Sequence, residues 1–140
     1  MRVLILCTGN SARSQMAEGL LRHLSDGRIH VESAGTKPGI VRPEAITVLN
    51  EIGIDISSHR SKSVDEFREE QFDHVLTVCD SAKEECPWFP SEACVVHRSF
   101  PDPASYDGEL DERLAAFRAV RDAIKVYFEE EYLPSIGFNG

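Results

Sequence analysis

The chain has 140 residues, 41% hydrophobic and 28% charged, with a formal net charge of −9 at pH 7. That length predicts one domain with a sizeable core, and the acidic balance argues against general binding to nucleic acid or anionic membranes. No apolar run approaches the ~18 residues of a membrane span and no signal pattern opens the sequence, so a cytoplasmic monomer is expected.

Val3-Leu4-Ile5-Leu6 reads as a buried strand and Gln15 onward as a helix. The eight residues between them, Cys7-Thr8-Gly9-Asn10-Ser11-Ala12-Arg13-Ser14, therefore join a strand end to a helix start. Backbone N–H groups of Thr8, Gly9, Asn10, Ser11, Ala12 and Arg13 in such a turn point inward and favour a tetrahedral anion. The same field favours the thiolate of Cys7, while Arg13 grips two anion oxygens with its fork and Ser14 donates to the sulfur. The bland alternative is an inert buried cysteine and a surface arginine. In an acidic protein, such a site must be a local positive pocket.

Along the first helix Met16, Leu20, Leu21 and Leu24 share a face, and Gly27 ends it. Ile29–Glu32 is a second strand, leading into a turn at Ser33-Ala34-Gly35. Pro43 and Gly53 bracket a helix with apolar face Ala45, Val48, Leu49 and Ile52. Ser63-Val64-Asp65-Glu66 is a capping box for a short polar helix. Asp73–Cys79 is a third strand and Cys94–His97 a fourth, with Cys94 a core hydrophobe. A final helix over Leu110–Tyr132 carries Leu110, Leu114, Phe117, Val120, Ile124 and Phe128 on its buried face.

This alternation predicts an α/β fold, a single three-layer domain over residues 1–133 with a four-stranded parallel sheet and helices on both faces. Residues 134–140 are expected to form a flexible tail. Ligands of such sheets bind beyond the strand carboxyl ends, which places Cys7 and Cys79 on one rim.

Without an export signal, the four cysteines point to reactive or metal-bound thiols rather than a disulfide framework. Cys79, Cys86, Cys94 and His97 stand seven, eight and three residues apart. Zinc knuckles want pairs about two to four apart, so zinc is disfavoured. Ser81 and Glu84 cap a short helix between Cys79 and Cys86. If helical, it separates their Cα atoms by about 10 Å. A disulfide needs about 5.5 Å. The segment reads as a redox switch that unwinds when the two join; the alternative is a buried strand-end cysteine and a helix-packing one. Asp102 lies between Pro101 and Pro103 on the same rim. It is either a general acid for an oxygen leaving the bound anion or an ordinary turn residue.

Taken together, the loop Cys7–Glu18, the Ser33-Ala34-Gly35 turn, Asp55-Ile56-Ser57 and Asp102-Pro103 resemble the low-molecular-weight tyrosine phosphatase superfamily, in particular its thioredoxin-coupled arsenate reductase branch. The resemblance implies a flavodoxin-like topology, with Cys7 as nucleophile, Arg13 as oxyanion clamp, Ser14 as thiolate stabiliser and Asp102 as general acid. It also implies Cys79 and Cys86 as the redox pair. Some members bind potassium beside the loop, and Asn10, Glu18, Ser33 and Asp65 are assigned to the matching positions; no other cofactor is expected. Two departures stand out. Ala12 replaces the cysteine that many reductases carry before the loop arginine. Ala104 replaces the aromatic that phosphatases place after Asp-Pro, with Tyr106 two residues on.

The implied activity is reduction of arsenate to arsenite, with phosphate as competitor and thioredoxin as reductant; glutaredoxin or a small thiol is the alternative reductant. Phosphomonoester hydrolysis through a phosphocysteine is the second reading. A non-catalytic oxyanion-binding or redox-sensing module is the third.

Overall fold

Four β-branched or leucine side chains, Val3 to Leu6, alternate to opposite sides of β1 (Arg2–Cys7), and each side finds its own core. Val3, Ile5 and Cys7 join one buried cluster; Leu4 and Leu6 join another. In the computed structural model, which describes residues 1–79, 94–105 and 108–137, β1 is an inner strand of a four-stranded parallel sheet. Its partners are β2 (His30–Gly35), β3 (His74–Thr77) and β4 (Cys94–His97), in the order β2-β1-β3-β4. This is a flavodoxin-like winding, whose switch point falls between β1 and β3.

Both faces are covered, unequally. α1 (Arg13–Leu24), α2 (Pro43–Asn50) and α3 (Leu110–Tyr127) bury Met16, Leu20, Val48, Leu49, Phe117 and Ile124 against one face. Over the other, among the described residues, lie the 3-10 turn Val64–Phe67 and Phe72, whose ring meets Phe67 edge-on. Gly19 lets α1 approach α2 closely, since a Cβ there would sit 2.7 Å from Ile56 and 2.9 Å from Leu49. Arg118 and Arg121 of α3 both bind the Glu51 carboxylate after α2. Among the described residues, no helix is long and apolar enough to cross a membrane.

Several local expectations need correction. The first helix starts at Arg13 rather than Gln15. Ser33-Ala34-Gly35 is not a turn but the end of β2, because β1 pairs with it as far as Cys7 opposite Gly35. Ile52 leaves the buried face since α2 ends at Asn50, two residues earlier. The turn after Ser63 is not polar throughout, for Val64 and Phe67 are buried. β4 is a sheet edge with Val95 exposed, not a buried strand. Leu110, in the first turn of α3, is likewise exposed. After Tyr127 the last helix widens to a π-helical turn, Phe128–Tyr132, followed by α4 (Leu133–Ser135). Ile136 packs partly against the core, so contacts continue beyond the boundary expected at 133; residues 138–140 lie outside the described set.

Phe117→Ala should cost about 3–5 kcal/mol in urea unfolding, as for other fully buried rings. Leu110→Ala, on the same predicted stripe but exposed, should stay within about 0.5 kcal/mol.

Candidate active site

The loop from Thr8 to Ala12 turns its carbonyls outward, and each meets a donor. Lys37 N donates to Thr8 O, Ser61 Oγ to Gly9 O, Gln15 Nε2 to Asn10 O, Arg42 N to Ser11 O and Met16 N to Ala12 O. The N–H side of the loop is thereby turned inward, as Asn10 N shows by donating to Cys7 Sγ at 3.2 Å. Ala12, at the N-cap of α1, makes no side-chain cap to the first turn of the helix. Asn10 takes a left-handed conformation, φ 47°, which asparagine tolerates better than most residues. Gly35 is required opposite it: a Cβ there would lie 2.4 Å from Thr8 O and 2.9 Å from Asn10 N.

The loop encloses a cavity of about 220 Å³ lined by Cys7, Thr8, Gly9, Ser11, Ala12, Arg13 and Asp102. Cys7 is buried and free, with its sulfur 2.8 Å from Ser14 Oγ. Ser14 Oγ already accepts from Asn10 Nδ2 at 2.8 Å, which leaves its one proton for the sulfur. The Asn10 amide is oriented by its other contacts, since its Oδ1 accepts from Gln15 Nε2 and Lys62 N. Arg13 is buried rather than at the surface; its Nη1 donates to Phe100 O and its Nη2 lies 3.8 Å from Asp102 Oδ2. The other carboxylate oxygen of Asp102 accepts from Ala104 N. This arrangement can bind a tetrahedral anion, present a thiolate to its centre and place a carboxyl at the mouth.

Cys7, Thr8, Gly9, Ser11, Ala12, Arg13, Ser14 and Asp102 are thus brought together as expected from the sequence. β3 ends at Thr77, and Cys79 follows beside the end of β1; Val78 N still donates to Leu6 O. Cys79 is buried and disulfide-bonded. Its expected partner Cys86, the segment 80–93 and Tyr106 lie outside the described residues.

The four positions assigned to potassium do not form an oxygen cage. Ser33 Oγ accepts from Asn10 Nδ2 and donates to Glu18 Oε1 at 2.6 Å, and Asn10 Oδ1 already has two donors. Asp65 is not part of the cluster; it is exposed and paired with Arg68 at the surface. Lys62 stands there instead, with Nζ 3.5 Å from Glu18 Oε1 and 2.8 Å from Glu32 Oε2. His59 completes the group, its Nδ1 bonded to Gln15 Oε1 and its Nε2 3.4 Å from Glu18 Oε2. Burial pushes its imidazole below the ordinary 6.5, and Arg22 and Lys62 add to that against Glu18 and Glu32.

Gln15, His59 and Lys62 were not anticipated as site residues. Gln15 sits on a helix turn whose inward direction depends on the loop, and His59 and Lys62 arrive through tertiary packing of an irregular segment. No spacing in the sequence marks them.

A family model described as low molecular weight phosphotyrosine protein phosphatase matches residues 2–131. An arsenate reductase of Halalkalibacterium halodurans is 43% identical over 122 residues, covering 87% of this chain and 88% of that protein. A solved arsenate reductase in its reduced state superposes with a TM-score of 0.74 at 33% identity, covering 96% of this chain and 98% of that one. A thioredoxin-dependent arsenate reductase of Corynebacterium glutamicum gives 0.64 at 25% identity, covering 95% of this chain and 62% of that one.

Gly35→Ala should lower stability by at least about 1–3 kcal/mol, because the methyl meets backbone rather than a flexible side chain. Phosphate affinity, measured by calorimetry, should fall with it. The depressed His59 pKa has a defined sign. Above pH 6.5 the imidazole is neutral folded and unfolded; below it the unfolded chain takes a proton that the folded protein resists. The thermal midpoint should therefore drop as pH falls through that range, and less steeply in His59→Gln.

Proposed function

Because the chain belongs to the low molecular weight phosphotyrosine protein phosphatase family and matches arsenate reductases along most of its length, we propose that it reduces arsenate to arsenite at Cys7. The observation that carries this reading is the free Cys7 sulfur, held by Ser14 and Asn10 N at the base of the anion-sized cavity. In the first step the Cys7 thiolate attacks arsenic and an As–O bond breaks. Asp102 gives its proton to the departing oxygen, which leaves as water. Arg13 and the loop N–H groups hold the remaining oxygens as charge builds on them.

Cys79 as thiolate then attacks the Cys7 sulfur. An S–S bond forms, the S–As bond breaks, and its electron pair stays on arsenic, which leaves as arsenite. Cys86 next attacks the Cys79 sulfur, releasing Cys7 as thiolate and leaving a Cys79–Cys86 disulfide. A dithiol partner reduces that bond by thiol exchange. Disulfide-bonded Cys79 beside free Cys7 matches the state this last internal step would leave. Thioredoxin is the reductant we assign, supported by the thioredoxin dependence of the Corynebacterium relative. Phosphate shares the geometry of arsenate and competes for the cavity.

A second reading, hydrolysis of phosphomonoesters, uses Cys7, Arg13 and Asp102 but neither Cys79 nor Cys86; the family match favours keeping it. The test is arsenate-dependent NADPH oxidation with thioredoxin and thioredoxin reductase, run beside aryl phosphate hydrolysis. Cys7→Ser should abolish both. Cys79→Ser and Cys86→Ser should bring reductase turnover to background and spare any hydrolysis, and Asp102→Asn should lower kcat by about 10²–10⁴-fold. Phosphate should raise KM for arsenate at constant kcat. Full turnover in the Cys79 and Cys86 variants would reject the relay.

A further inference from the structure

Behind the oxyanion loop, on the side away from the cavity, lies a set of charges that the proposed reaction steps do not use. Lys62 is only 9% exposed, and its ammonium faces the carboxylates of Glu18 and Glu32 and the Phe67 ring. Arg22 reaches the other Glu18 oxygen at 3.0 Å, His59 lies beside it, and His30 flanks the outer side of Glu32. Two carboxylates thus face two permanent cations, and burial disfavours a charge on His59. The permanent charges of the cluster balance without any added ion.

The cluster is joined to the reacting sulfur by hydrogen bonds. Glu18 accepts from Ser33, Ser33 accepts from Asn10 Nδ2, and the same Nδ2 donates to Ser14, which meets Cys7 Sγ. Lys62 also donates its own backbone N–H to Asn10 Oδ1. One residue therefore fixes the Asn10 amide from its oxygen side and, through Glu18 and Ser33, from its nitrogen side.

We propose that the Lys62 ammonium is a tethered monovalent cation, a positioning group that holds the Glu18–Ser33–Asn10–Ser14 chain behind Cys7 and makes the protein independent of potassium. As a role in the reaction this rests on the reading given above; as a statement about the loop it does not, and the readouts are chosen accordingly. Wild type, Lys62→Met and Lys62→Arg are compared in potassium, sodium and choline chloride at equal ionic strength. Each is followed by thermal unfolding, by the rate of iodoacetamide alkylation of Cys7 in the reduced protein, and by arsenate turnover.

Wild type and Lys62→Arg should behave alike in all three salts, because the charge is covalently attached. Lys62→Met leaves the two carboxylates with Arg22 as their permanent cation among the described residues, beside the imidazoles of His59 and His30. In choline its alkylation and turnover should fall by about tenfold, the usual scale for losing a group that orients a reacting ligand from behind. Potassium should restore both and raise its unfolding temperature, whereas a purely structural lysine would show no cation-specific rescue. Potassium-specific acceleration or stabilisation of wild type or Lys62→Arg would overturn the proposal. So would a folded Lys62→Met with unchanged alkylation in choline. Should Lys62→Met fail to fold in every salt, the wild-type and Lys62→Arg series decide alone. Absence of arsenate turnover in wild type would sink the functional reading while leaving the alkylation and unfolding results to judge the cation.

Discussion

Five carbonyls in succession, from Thr8 to Ala12, must each be satisfied from outside before the opposite face of the loop is free to receive an anion. An unmet buried carbonyl costs about 1–3 kcal/mol, so the donors are a condition of the loop rather than an ornament. They come from the stretch after β2, from α1 and from the 59–63 segment. Gly35 admits the loop backbone at a distance no side chain would allow. The helices and strands can be seen as the means of bringing those donors to one place.

Electrostatics follow the same division between local and global. The whole chain carries −9, yet its cavity is built from N–H groups and a buried guanidinium. Immediately behind, charge is cancelled pair by pair among Glu18, Glu32, Arg22 and Lys62. Burial of the His59 imidazole keeps that balance from tipping positive. The cavity therefore meets its ligand with a field set by the loop, with little contribution from the groups that support it.

Much of this was legible because it is local. A β-branched run followed by Cys7-x5-Arg13 locates the strand, the loop and the helix start together, and alternation of apolar runs yields the parallel sheet. Asp102 was findable because two prolines isolate it. What escaped is what depends on contacts distant in sequence. Asp65 looked suitable by residue type, but a surface arginine holds it, while Lys62, three residues earlier, turns inward. Leu110 fits the helical period of its neighbours, yet it lies in the first turn, beyond the reach of the sheet. Gly35 looked like a turn signal when its function is to leave space.

The two halves of the cavity are anchored to different parts of the chain. The donors named above for the loop carbonyls, Gln15, Met16, Lys37, Arg42 and Ser61, precede residue 63. The guanidinium of Arg13, by contrast, leans on Phe100 O; Phe100 N is bonded to Val78 O, and Ser99 to the carbonyl of Cys79. Residue 79 thus adjoins the clamp through Ser99 and Phe100, and β1 through the bond from Val78 N to Leu6 O. The bonding of one cysteine and the seating of the guanidinium therefore share a single short stretch of backbone.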